Sequence, residues 1–165
     1  PIQNWPEEIN ITKKTIDVDL NLETNFGPKS IKNNIDSKPE FVWMTAESIG
    51  DNDPALNYYS NLPAVFIFDK PLLNYLQLST KRIIFLLDCL RELANKRSTQ
   101  VYLDNPIEYL KNKNFASTFA AVPKYKKITR VNIPTTEFPS VRLVKPINFY
   151  PSSYSSWKKR IELNI

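Results

Sequence analysis

Residues 41–69 read FVWMTAESIGDNDPALNYYSNLPAVFIFD: two short apolar runs, Phe41–Met44 and Ala64–Phe68, separated by a polar Gly/Asp/Pro turn and stopped by Asp69-Lys70-Pro71. Runs that are continuously apolar, rather than alternating, belong to strands buried on both faces, as in a parallel sheet covered by helices on its two sides. Forward of this pair, Ile83, Leu86, Leu87, Leu90, Leu93 and Ala94 recur at helical spacing between Ser79 and Lys96. Ser79 or Thr80 suits the N-cap, and basic residues gather at the far end. A third strand follows at Thr99–Leu103, then a short helix opened by Asp104 or Asn105 with Pro106 as its first residue, then a fourth strand at Ser117–Val122. Beyond Pro123, prolines at 134, 139, 146 and 151 argue against a long helix; Val141–Val144 fits a fifth strand and Ser152–Leu163 a last short helix. Strand and helix in regular succession predict an α/β fold, a Rossmann-like doubly wound, mostly parallel five-stranded sheet.

Backward of Phe41 the chain is polar and broken by Pro6, Gly27, Pro28 and Pro39, with one alternating patch at Thr15–Leu22 that reads as a short edge strand. The organisation expected is a loosely structured extension over 1–40 and one α/β domain over 41–165 that ends in a basic, linker-like segment. A chain of 165 residues suits a single domain with a real core. No stretch approaches the roughly 20 apolar residues that span a bilayer, and Pro1–Asn10 lacks the basic and apolar parts of a signal peptide. A cytoplasmic protein without a membrane partner is therefore expected, and the lone Cys89 allows no internal disulfide.

Absences prune the chemistry. With no His and one Cys, neither a Ser-His-Asp or Cys-His catalytic set nor a tetrahedral metal site is expected. With Gly27 and Gly50 as the only glycines, neither a three-glycine dinucleotide fingerprint nor a phosphate loop can be written. Charge is uneven: from Lys124 to Arg160 nine basic residues face Glu137 alone. Lys124, Lys126, Lys127 and Arg130, interleaved with aromatics, are the candidates for contact with a nucleic-acid backbone; the alternative for the same residues is a solvated face.

Val42-Trp43-Met44, then Glu47, then Asn52-Asp53-Pro54-Ala55-Leu56 resembles the first strand and turn of the photolyase/cryptochrome family, in which an aromatic-rich strand runs into Arg-Arg-Asp-Leu-Arg and His-Asp-Asn-Pro-Ala-Leu. Pro63–Asp69 is similar to that family's second strand with its terminal Asp, and Lys81–Leu93 to its first long helix. Tyr154-Ser155-Ser156-Trp157-Lys158 is similar to the segment leading out of the α/β domain. The resemblance spans about Phe41 to Lys158. It implies the N-terminal half of a light-dependent flavoprotein, active in DNA repair or blue-light response. In many members this half holds an antenna chromophore, a folate, deazaflavin or flavin. FAD and the photolyase chemistry belong to a helical domain absent from this chain, so that domain, in cis or trans, is the implied partner, with DNA. Thr45, Ala46 and Ile49 stand where the family has arginines, and Asp51 where it has His, which removes the bidentate contacts Arg supplies.

Ligands of such sheets sit outside the carboxyl ends of the strands near the switch point. Thr45, Ala46 and Glu47 end the first strand, Phe68, Asp69 and Lys70 the second, and Arg82 and Phe85 lie on the following helix. With a pigment there, Glu47 and Asp69 accept from ring N–H groups, Phe68 and Phe85 wall its aromatic face, and Arg82 answers a phosphate or carboxylate tail. The alternatives are structural: Asp69 capping the turn before Pro71, Glu47 facing water, Arg82 pairing with Asp88 or with the helix's own surroundings, both Phe residues in the core. The second reading is a stand-alone α/β binding module without pigment, which binds nucleic acid or an acidic protein partner through its basic C-terminal region.

Overall fold

The computed structural model describes residues 27–34, 37–76, 78–142, 144 and 153–161. Six strands form one sheet: β1 (Lys32–Asn33), β2 (Phe41–Met44), β3 (Ala64–Asp69), β4 (Thr99–Asp104), β5 (Phe115–Thr118) and β6 (Thr136–Phe138). Their order across the sheet is β1-β6-β5-β2-β3-β4. All neighbours run parallel except β1 and β6, which pair antiparallel. The helices are α1 (Pro54–Tyr58), α2 (Lys70–Leu76), α3 (Thr80–Ala94), α4 (Pro106–Leu110), α5 (Pro123–Val131) and α6 (Tyr154–Lys158). None is long and apolar enough to cross a membrane.

The continuous apolar runs are explained by two cores, one on each side of the sheet. Successive side chains of a strand point to opposite faces. Phe41, Trp43, Val65 and Ile67 therefore join one core with Leu110 of α4 and Tyr125 and Ile128 of α5. Val42, Met44, Ala64 and Phe66 join the other with Ala55 and Leu56 of α1 and Leu90 and Leu93 of α3. The protein is a mixed α/β structure with a mostly parallel sheet.

The sheet has six strands rather than five. The additional one, β1, comes from the segment preceding Phe41, where Gly27 and Pro28 are also buried. Gly27 has φ +76°, and a Cβ there would lie 2.3 Å from the Phe119 ring, so both the backbone and the packing require glycine. The alternating patch Thr15–Leu22 lies outside the described residues. The fifth parallel strand is Thr136–Phe138 instead of Val141–Val144; among the described residues of that stretch only Val144 makes an isolated bridge. Thr-Glu-Phe lacks an apolar run: Phe138 packs into the core beside α1, and hydrogen bonds satisfy the buried threonines next to it. Thr135 N–H donates to the Phe115 carbonyl, and the Thr136 and Tyr59 hydroxyls lie 3.1 Å apart. The fourth strand begins and ends earlier than its sequence reading, at Phe115–Thr118. Helix α5 occupies a stretch in which prolines argued against a long helix. Its own Pro123 sits in the first turn, where no N–H is needed, and Pro134 lies past its end. Helix α1 forms inside the Gly/Asp/Pro turn because Asp53 caps it, accepting from Leu56 N–H at 2.8 Å, with Pro54 in the first turn. The last helix is shorter than expected, Tyr154–Lys158.

Candidate functional site

At the carboxyl ends of β2 and β3 a cleft of about 380 Å³ opens between α2, the start of α3 and the start of α5. The chain steps outward from β2 to β3 to β4, then crosses back to β5 on the other side of β2, so the switch point lies between β2 and β5 and the cleft sits next to it, over β2 and β3. The floor is apolar, made by Trp43, Met44, Phe66 and Ile67 from the two strands. Trp43 stacks flat on Tyr125, 5.6 Å between ring centroids and 3° between planes, and Phe66 meets Phe68 edge-on at 4.9 Å. Leucines 72, 73 and 76 of α2, which α2 does not bury elsewhere, and Leu86 of α3 form one wall.

Polar groups gather at the rim. Asp69 ends β3 and does two things: its Oδ1 accepts from Leu72 N–H at 2.9 Å, capping α2, and its Oδ2 lies 2.7 Å from Lys124 Nζ. Lys124 stands in the first turn of α5, where the helix dipole disfavours a cation. The Asp69 carboxylate offsets that cost and ties α5 to the end of β3 across the cleft. Beyond Met44 the chain turns sharply, with Thr45 N–H donating to Ser48 Oγ at 3.2 Å and Ser48 N–H to the Thr45 carbonyl at 3.1 Å. This turn carries Thr45, Ala46 and Glu47 to the cleft.

Behind the floor, the Tyr125 hydroxyl lies 2.7 Å from Ser117 Oγ and donates to Glu137 Oε1 at 2.8 Å. Burial, with the Glu137 carboxylate adding to it, pushes the Tyr125 phenol far above its ordinary value, so it remains a neutral donor. The network fixes the ring on which Trp43 stacks. Below the sheet, Arg97 donates to the carbonyls of Leu56, Tyr59 and Leu62, closing the chain between α1 and β3.

Six of the eight residues expected at a ligand line the cleft: Thr45, Ala46, Glu47, Phe68, Asp69 and Arg82. Lys70 and Phe85 do not. Lys70 follows the cap and is exposed, and Phe85 is 65% exposed on the solvent side of α3, neither cleft wall nor core. Of the basic candidates, Lys124 belongs to this cleft, bound to Asp69, while Lys126, Lys127 and Arg130 lie along α5. Asp51 pairs with Lys96 at 2.6 Å. Tyr125 and Lys124 are cleft residues that sequence reasoning assigned elsewhere. Their signal was the spacing Tyr125–Ile128 directly after a proline, which marks one apolar helical face. Among the described residues no cluster of His, Cys, Asp and Glu could hold a metal ion.

No family model, curated protein or solved structure matches this chain.

Proposed function

We propose that this chain is a Rossmann-like, doubly wound domain of the photolyase/cryptochrome type, and that its cleft holds an antenna chromophore. The observation that carries the reading is the cleft itself: a flat aromatic and aliphatic slot at the carboxyl ends of β2 and β3, with Glu47, Asp69, Arg82 and Lys124 along its rim. A planar heteroaromatic ring with a charged tail is the class of ligand such a slot accepts. Ring faces pack on the apolar floor, carboxylates accept from ring N–H groups, and the cations answer phosphate or carboxylate. A folate, a deazaflavin or a flavin has this form. The strand sequence motif from Val42 to Leu56 supports the family, and cores on both faces of the sheet support the doubly wound architecture. In this reading light-driven chemistry belongs to a helical FAD domain, in cis or trans, in the cytoplasm, and this chain supplies excitation or scaffolding without catalysis of its own.

The test is an absorption spectrum of the purified protein, mass analysis of what denaturation releases, and titration with oxidised flavin, deazaflavin and methenyl-folate. A bound pigment, or an added one that shifts its band and quenches Trp43, is the expected result. Arg82→Met then weakens binding of the phosphorylated or carboxylated forms by about tenfold. A clean protein spectrum, insensitive to all three pigments while the fold is intact, overturns the reading.

A second reading has its own observation. Helix α5 carries Lys124, Lys126, Lys127 and Arg130 with no acidic residue. A module binding nucleic acid through that face would be colourless and would lose affinity steeply as salt rises.

A further inference from the structure

Helix α3 is apolar around most of its first half, yet buries only Leu90 and Leu93. A helix apolar all round is normally enclosed on all sides. One flank of α3 faces the loop after β2: Cys89 and Glu92 meet Ile49–Asp51, and Lys96 binds Asp51. Ile84, Leu87 and Arg91 lie on the opposite flank, toward β4. Ile84 is 51% exposed and Leu87 43%. Among the described residues β4 is the edge of the sheet, and its Val101 and Leu103, in register with Phe66 and Phe68 and so on the α3 side, are 44% and 63% exposed. Ile84, Leu87, Val101 and Leu103 thus form one apolar strip along that edge.

The edge itself is ready to pair. The Ser98 carbonyl accepts from Ala64 N–H. Backbone groups alternate sides along a strand, so the amides and carbonyls of Thr99, Val101 and Leu103 point away from β3. Exposed edges are ordinarily guarded by Lys, Pro or a bulge. Thr99–Asp104 contains neither Lys nor Pro, and its pairing with β3 runs through all six residues without interruption.

We infer that this edge pairs with the β4 edge of a second copy of the chain, antiparallel, about a two-fold axis through Tyr102. Residues opposite each other must share a face, and the pattern chooses the register. With Tyr102 opposite its equivalent, Val101 meets Leu103 of the second copy twice on the α3 side. Gln100 meets Asp104, polar against polar, at both ends. The hydrogen-bonding residues, Val101 and Leu103, fall opposite each other as an antiparallel ladder requires. Charge is self-complementary as well. The α3 helices run antiparallel above the joint, and each offers Asp88 and Arg91, now paired with one another 3.6 Å apart at the surface, to the reversed pair on the other. The strip carries no excess of either sign, so it offers nothing to a nucleic acid or a strongly charged protein, whereas it matches itself. Such isologous pairing is the commonest route to a homodimer.

Sedimentation equilibrium of the whole chain tests this, with twice the single-chain mass expected and the V101K/L103K variant returning to one chain. In a Cys89→Ser background, mild oxidation of Tyr102→Cys gives a covalent dimer, because the two Cα atoms face each other across the axis. Val101→Cys does not, being displaced two residues from its equivalent and beyond disulfide reach. A single-chain mass at about 100 μM overturns the inference and leaves the strip to another polypeptide. A dimer untouched by the lysines, or one cross-linked through residue 101 and not 102, overturns it equally.

Discussion

The two flanks of the sheet were built differently. On the β5–β6 side every residue from Phe115 to Ala120 is buried, and so are Thr135, Thr136 and Phe138. Polar side chains there are held by named partners, Gly27 lies against the Phe119 ring and Pro28 is buried beside it in the chain. On the β3–β4 side the outer strand is exposed from Gln100 onward, α2 buries nothing fully and α3 buries two residues. The fold is secured from the β5–β6 side, where tolerance for change is small. The other side carries the cleft wall and, among the described residues, an outer strand with no neighbour beyond it.

Gly27→Ala is the sharpest challenge to that difference. It forces a side chain onto the Phe119 ring at a positive φ and should cost about 3 kcal/mol in urea unfolding. A loss below half a kcal/mol means that the β5–β6 side yields as readily as the other. Next in size, Tyr125→Phe strands the buried Ser117 hydroxyl and removes the donor to Glu137. About 1–2 kcal/mol should be lost, and the environment of Trp43 should change in near-ultraviolet circular dichroism. Asp53, at the join between α1 and the sheet, gives a pH-dependent comparison. Burial raises its carboxyl pKa above 3.8, so the folded protein holds this proton more tightly than the unfolded chain. The stabilising contribution is complete below the unfolded value and is lost as pH rises through the folded one. Asp53→Asn keeps the acceptor for Leu56 N–H without the charge, and should gain stability relative to the parent as pH rises from acid to neutral. No pH dependence in that difference refutes the burial argument. Phe85→Gln, on the open side of α3, should change stability by less than about 0.5 kcal/mol. A larger loss means that α3 is already covered within one chain.

What could be read from sequence was whatever a local pattern determines. The double-sided apolar runs of β2 and β3, the periodicity of α3 and the Asn105-Pro106 start of α4 all specify their structure within a few residues. Five cleft residues followed from strand ends and a sixth, Arg82, from the start of the next helix. What escaped was structure made by distant partners. Thr136–Phe138 becomes a strand because Phe115 and Tyr59 satisfy it, and Lys32–Asn33 because β6 lies alongside. Phe85 was misplaced because it was assigned by its place on the helix after β3, whereas the face set by Leu90 and Leu93 turns it to solvent. Tyr125 was missed because later prolines were weighed against a helix that ends before them.

The antiparallel ladder of β1 and β6 joins Lys32 to Glu137, residues separated by about a hundred positions. Closing so long a loop earns its contacts only after most of the intervening chain has been made and ordered. During synthesis β2 and β3 can pair early, while Gly27 has no Phe119 ring beneath it and β1 has no neighbour until β6 emerges. Locking of the β1 edge should therefore be the slow, late phase of folding, and an arrested chain ending before Thr136 should expose β5 to proteases that the finished protein resists.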